Sequence, residues 1–333
     1  MLGESTKNLK NLRRMYKYSV VLISLILFMS CTKKDKLFVD VSDIDVKVDI
    51  LRFDKAFYTT PPEKLEDLKN EYPYLFPVQT PDSIWVQKMQ DKDEQELYAE
   101  TQKTYLNLNA EKEQLTSIFK HVKYYYNNFK EPTVITILSN VDYLSNVVYA
   151  DSLLFISLDV FLGKESVIYQ DFPTYIKSKF TKDHIGVAVA EALARPEIPR
   201  AKSRTFVSRM IQEGKLLFMI DAFLPAVNDA TKIGYTQEQI DWADHNDVDV
   251  WKYFIQNEYL FDTDQELSRR FIENAPFSKF YQANDNESPG RIGSWFGWQI
   301  VSAYMQHNDV SLQDMLRTDN ESIFTKSKYK PTK

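Results

Sequence analysis

Apolar and polar residues alternate through residues 39–53 (VDVSDIDVKVDILRF), with Val39, Val41, Ile44, Val46, Val48 and Ile50 as the apolar set. A period of two predicts a strand with one buried face. After Pro61-Pro62 the spacing turns helical and ends at Tyr72-Pro73, since proline cannot continue a helix. Residues 81–128 are dense in Glu, Gln, Lys and Leu, and Leu106, Leu115, Ile118, Phe119, Val122 and Tyr125 recur at helical spacing. Two or three helices are expected there. The centre differs: residues 133–138 (TVITIL), 146–149 (NVVY) and 153–158 (LLFISL) are short and β-rich, separated by polar turns, and predict neighbouring strands. From residue 163 the pattern is helical to the end. Its main segments are 183–195 (DHIGVAVAEALAR) and 205–222 (TFVSRMIQEGKLLFMIDA), parted by Pro196 and Pro199. Helices, a small sheet, then helices again is an α+β order, mostly helical around a small central β-sheet.

The first thirty residues follow a different rule. Lys7, Lys10, Arg13, Arg14 and Lys17 precede an apolar run from Val20 to Met29, then Ser30-Cys31. This is the layout of a secretory signal, and Met15 to Cys31 alone is a complete short one. The apolar core would measure ~15 Å as a helix, half of the ~30 Å hydrocarbon of a bilayer. A signal ending at cysteine resembles a bacterial lipoprotein signal, which implies that Cys31 is acylated and becomes the new N-terminus. Residues 1–30 are then the signal, 31–37 a lipidated tether, and 38–333 one globular α+β domain, with possible subdomains at 38–162 and 163–333. Cys31 is the only cysteine, so no intramolecular disulfide and no catalytic thiol elsewhere can form.

Charge narrows the partners. The leader holds five Lys/Arg and one Glu, so the remainder carries 36 basic and 46 acidic residues, a formal net charge of −10. An acidic body does not suit nucleic acid or anionic lipid as a general partner. Aromatic residues make up 14% of the chain and glycines number only eight, which suits a tightly packed, helix-rich protein rather than a disordered one.

Candidate chemistry is sparse. The four histidines, His121, His184, His245 and His307, form no H-x-x-H or H-E-x-x-H pair. His184 and Glu191 share a helix face but stand seven residues and ~10.5 Å apart, too far for one ion to be shared easily. Asp262 to Glu273 faintly resembles a calcium loop, yet Leu267 stands where such a loop needs glycine. The plainer reading is a capping box from Thr263 to Glu266. Asp241, Asp244, Asp247 and Asp249 read as a solvated flank around buried Trp242 and Trp251. Residues 288–304 (SPGRIGSWFGWQIVSAY) read as a helix starting at Ser288-Pro289, with Gly293 and Gly297 admitting close packing. The functional alternative for that segment is a partner surface made by Arg291, Trp295 and Trp298.

Several phrases in series carry a resemblance. They are IDVKVDILRFDKAFY (44–58), EYPYLFP (71–77), LLFISLDVFLG (153–163), ALARPEIPR (192–200), EGKLLFMIDAFLP (213–225), SPGRIGSWFGWQIVSAYM (288–305) and SKYKP (327–331). In this order the chain resembles gliding-motility lipoprotein B (GldB) of Bacteroidota over nearly its whole length beyond the leader. The resemblance implies a cell-envelope lipoprotein needed for gliding, working alongside the type IX secretion machinery. Thr-Lys-Lys-Asp-Lys after Cys31 is basic rather than the acidic cluster associated with surface export in these bacteria, so the resemblance implies an outer-membrane anchor with the body facing the periplasm.

A more distant similarity is to the zincin metallopeptidase layout, a small sheet followed by an apolar helix and a second helix carrying Glu-Gly. In zincins the first helix bears H-E-x-x-H, two zinc-binding histidines around a general base. The matching pentad is Ala190-Glu191-Ala192-Leu193-Ala194, so Glu191 stands at the base position while both ligand positions are alanine. Glu213 matches the carboxylate ligand of the second helix. One carboxylate without imidazoles holds zinc poorly, so Glu191 and Glu213 are expected to be vestigial, with no metal and no cofactor. The favoured expectation is a non-catalytic lipoprotein that contacts the membrane through Cys31 and binds envelope motility or secretion proteins. A metal-dependent hydrolase using His184, Glu191 and Glu213 is one alternative. A periplasmic glycan- or peptide-binding protein using Trp295 and Trp298 is the other.

Overall fold

Strand β1 is only Ile50–Leu51, although burial alternates with period two from Val39 to Ile50. The computed structural model describes residues 37–331, so the leader, Cys31 and all of the tether except Leu37 lie outside the described residues. The strand expected over 39–53 is therefore corrected to two residues. Its alternation reports an extended segment lying with one face inward, and its carbonyls find other partners. The Lys120 and Lys123 ammonium groups donate to the carbonyls of Ser42 and Asp45, at 3.4 and 3.0 Å. A short turn, with Ile44 N–H donating to the Val41 carbonyl, interrupts the run. Backbone groups satisfied in this way need no ladder.

Five helices follow: α1 (Phe53–Thr59), α2 (Leu65–Glu71), α3 (Asp82–Gln90), α4 (Lys92–Thr104) and α5 (Asn109–Tyr125). The helix expected after Pro61-Pro62 is α2, and 81–128 resolves into three. Asp91 caps α4, its carboxylate accepting from the N–H groups of Asp93 and Glu94. Leu106, counted on the helical face by spacing, lies instead in the link between α4 and α5 and is exposed. Phe57, Leu68, Tyr72, Phe76 and Met89 build an aromatic-rich cluster among the first three helices.

The predicted central strands are β2 (Thr133–Ile137), β3 (Val147–Ala150) and β4 (Leu153–Ser157). The sheet order is β1-β2-β4-β3, with β1, β2 and β4 parallel and β3 antiparallel at the edge. Ala150 pairs with Leu153 across a two-residue turn in which Asp151 takes φ 55°. At the carboxyl end of β2, Asn140 and Val141 take φ 58° and 59°. The fully buried Asp159 carboxylate holds this turn by accepting from the N–H groups of Ser139 and Val141. Left-handed backbone at a β-branched residue costs ~1–2 kcal/mol, and these charge-assisted bonds offset it.

The remaining helices are α6 (Thr174–Lys177), α7 (Asp183–Ala194), α8 (Phe206–Phe223), α9 (Asp229–Ile233), α10 (Gln237–His245), α11 (Asp247–Gln256), α12 (Glu266–Phe271), α13 (Ile292–His307), α14 (Leu312–Arg317) and α15 (Asn320–Ser327). Helix α8 is buried over most of its surface, with only Arg209, Gln212 and Glu213 half-buried along one face, as a largely apolar helix must be. It packs most extensively on α13. The approach depends on Gly214 and Gly297: a Cβ on Gly297 would lie 1.7 Å from the Met210 carbonyl oxygen, and one on Gly214 would lie 2.1 Å from that of Gly297. The close packing expected from the glycines of 288–304 is present. Lys215, buried on α8, donates to the carbonyls of Leu316 and Thr318 and so caps α14. Residues from Asp40 onward form one compact unit.

Two expectations here are corrected. The Thr263–Glu266 capping box does not form; the N–H of Glu266 is met at 2.9 Å by the Asp264 carboxylate, nearer in sequence and already turned toward it. Of the two tryptophans in the acidic flank, Trp251 is buried and Trp242 only half-buried, and Asp247 itself is buried.

Candidate functional site

Pro196 and Pro199 end α7 and turn the chain back, so that α8 returns beside it. This brings the two expected carboxylates to one region. A cleft of about 360 Å³ opens there, lined by α7, α8, the end of α9, the segment after α6, the residues leading into β3, and Arg291. His184, Glu191 and Arg195 lie along its α7 wall, while Leu216, Leu217 and Ile220 of α8 supply apolar lining.

The carboxylates do not face each other as free groups. Arg195 grips Glu191 through Nε at 2.9 Å and Nη2 at 2.5 Å, an i,i+4 pair closed within one helix turn. Glu213 meets Arg291 Nη2 at 3.6 Å. Ala190 and Ala194, at the two zincin ligand positions, are fully buried. Among the described residues, no three His, Cys, Asp or Glu side chains come together to hold a metal ion.

Behind the cleft is a third pair. Lys232 of α9, with its side chain only 5% exposed, contacts the Asp221 carboxylate at 2.7 Å, and Trp298 Nε1 donates to the other oxygen at 2.6 Å. Burial pushes Asp221 up to about 6, against the pull of Lys232 and Trp298. Trp295 and Trp298 are 4% and 3% exposed. Their assignment to a partner surface is therefore corrected: they pack inside, and Trp298 anchors the ion pair. Arg291, with 18% of its side chain exposed, is the member of that trio that reaches the cleft.

Pattern reasoning missed Lys179, which has no charge partner in sequence and sits among other surface-type lysines. In space it lines the cleft, 3.4 Å from Asn274 Oδ1, with its methylenes laid over Gly234. Gly234 (φ 77°) ends α9, and a Cβ there would fall 2.3 Å from Lys179 Cε. Burial, then the nearby Arg291 charge, pulls Lys179 down to about 7.

His184 accepts or donates one bond, to Thr181 Oγ1 at 2.8 Å. Burial first, and Lys179 second, hold it down at about 4. An unfolded imidazole titrates near ~6.5. Between those values the unfolded chain takes up a proton that the folded chain refuses, so stability present above pH 6.5 is lost as pH falls toward 4. A His184→Gln variant is expected to lose about 1–3 kcal/mol less than the parent across that window in denaturant titrations. Parallel curves for the two proteins would contradict a buried neutral His184.

No curated protein and no solved structure matches this chain. The family profile described as gliding motility protein GldB matches residues 34–331, covering the sheet, the paired carboxylates and the α8–α13 core together. The chain belongs to the gliding motility protein GldB family.

Proposed function

We propose that this protein serves gliding motility as a non-catalytic envelope lipoprotein, binding a partner of the motility or type IX secretion machinery at the mouth of the cleft. Cys31 would carry the lipid, in the outer membrane, with the acidic body toward the periplasm. The observation that carries the reading is the pairing of Glu191 with Arg195 and of Glu213 with Arg291. A carboxylate whose Oε1 accepts two N–H bonds from one arginine is engaged rather than free to act as a base, and a ligand carboxylate paired with a cation is a poor zinc donor. If the zincin similarity reflects kinship, both ligand positions have become packing residues. The rim supports a contact surface: Leu144, which lines the cleft, is 82% exposed, and Val148 on the edge strand is 41% exposed. With Trp295 and Trp298 buried, the glycan-binding alternative lacks its aromatic platform.

Two measurements test this. A photo-crosslinking residue at position 144 is expected to capture one discrete envelope protein in gliding cells, and the purified chain to hold far less than one zinc. Stoichiometric zinc that is lost in Glu213→Ala, together with peptide hydrolysis, would overturn the reading in favour of the metal-dependent hydrolase.

A further inference from the structure

Three of the four cations around the cleft have carboxylate partners: Arg195 has Glu191, Arg291 has Glu213, and Lys232 has Asp221 and the solvent-facing Asp229. Lys179 has no carboxylate within 4 Å among the described residues; its polar contact is the neutral amide of Asn274. The cleft therefore holds one ammonium without a direct carboxylate partner. A half-buried cation without a direct counter-charge carries a desolvation cost, and surface lysines usually avoid that cost by pointing outward. This one is held inward, its methylenes seated on the one residue type that leaves room at Gly234.

Arg291 adds an independent sign. It takes φ 61° at the cap position of α13 and provides no side-chain cap there. Glycine or asparagine would occupy that backbone more cheaply, by ~1–2 kcal/mol for glycine. What arginine supplies is a guanidinium that lines both the cleft and the small side pocket of about 40 Å³ that Lys179 also lines. Backbone strain retained at a side chain that reaches a cavity motivates a functional role for that side chain. Val187, Leu216, Leu217 and Ile220 give the lining an aliphatic stretch among aromatic and polar residues, and a volume of about 360 Å³ lies in the range of small-molecule sites.

We propose that the cleft binds one organic monoanion, a carboxylate carried on a short apolar body, with Lys179 and Arg291 holding the head group and Leu216, Leu217 and Ile220 meeting the apolar part. One ammonium without a carboxylate partner favours a monoanion over a phosphate dianion, and the aliphatic stretch of the lining favours an amphiphile over a bare ion. The carboxylate can belong to a free fatty acid or to the end of a peptide. Binding also takes up protons above neutral pH. A bound carboxylate raises the ammonium from about 7, against the charge of Arg291 and beside the neutral His184 and the paired Glu191, Arg195 and Lys232.

Calorimetric titration of the purified chain with octanoate, octylamine, inorganic phosphate and the dipeptide N-acetyl-Leu-Leu as acid and as amide tests this. Octanoate or the dipeptide acid is expected to bind, with proton uptake at pH 8 read from buffers of different ionisation heat. Octanoate alone would assign a free amphiphile; the dipeptide acid in preference to its amide would assign a chain end. Lys179→Gln is expected to weaken binding at least tenfold and abolish the proton uptake. Arg291→Gln, a second variant in case the first fails to fold, is expected to weaken binding while leaving some uptake. Octylamine or phosphate binding as tightly as octanoate, or no anion binding at all, would overturn the proposal. It rests on reading the cleft as a binding site, and the two fail separately. Stoichiometric zinc sinks that reading, whereas a zinc-free protein that cross-links through position 144 and ignores every carboxylate sinks only this one.

Discussion

Gly297→Ala is expected to cost about 4 kcal/mol or more, enough to leave little folded protein at 37 °C. The reason is what the new methyl would meet. Most overpacked sites relax by turning a neighbouring side chain, at ~1–3 kcal/mol. At Gly297 the obstacle is backbone: the Met210 carbonyl oxygen at 1.7 Å and its carbon at 2.4 Å. Helix α8 is packed over most of its surface, so relief requires α8 and α13 to part, and parting opens voids along the largest helix contact of the fold. Gly163→Ala is the control. Its φ of 108° strains any side chain, but nothing lies within 4 Å of the added carbon, so a loss of ~1–2 kcal/mol is expected. Denaturant unfolding of the two variants checks the contrast. Similar midpoints would mean that the α8–α13 crossing yields more easily than its geometry implies.

The second large effect is expected at Asp221. Asp221→Ala leaves the Lys232 ammonium, 5% exposed, with only the solvent-facing Asp229 carboxylate at 3.4 Å, and strands the Trp298 N–H. Removing one partner of a buried pair costs ~3–5 kcal/mol, most of it the penalty of the orphaned charge. The double variant Asp221→Leu/Lys232→Met removes both charges and is expected to recover at least half of that loss. Urea unfolding of the single and double variants at pH 7 reads the coupling directly. A double variant as unstable as Asp221→Ala would assign the cost to packing around Trp298 and not to charge.

Much of the fold was legible because period and punctuation agree along most of the chain. Three β-rich runs with polar turns gave three strands to within a residue or two. Pro73, Pro196 and Pro199 marked real helix ends. What misled was local pattern without a partner. The alternation of 39–49 is a true record of one inward face, but whether a face pairs into a sheet depends on lysines 78 residues away on α5. Thr263 had the right neighbour for a capping box and lost to Asp264. At the site, Glu191 and Glu213 were nameable from the similarity to the zincin layout, His184 as one of only four histidines, and Arg291 from its glycine- and tryptophan-rich segment. Lys179 and the Asp221–Lys232–Trp298 cluster were not: each is made by elements 11 to 112 residues apart, and nothing in the chain near Lys179 distinguishes it from Lys177. Tryptophans mid-helix look alike in sequence whether they face solvent or a buried carboxylate.

The pairing of β1 with β2 joins Ile50 to Val134, 84 positions apart, whereas β3 and β4 meet across a two-residue turn. During synthesis at ~5–20 residues per second, β1 emerges roughly 4–17 s before the strand it pairs with. The hairpin closes in about 1–10 μs once it is made. The first strand of the sheet thus waits as an unpaired segment until its partner is made. A strand of two residues, flanked by Lys47, Asp49 and Arg52, offers a growing chain very little edge on which to aggregate while it waits.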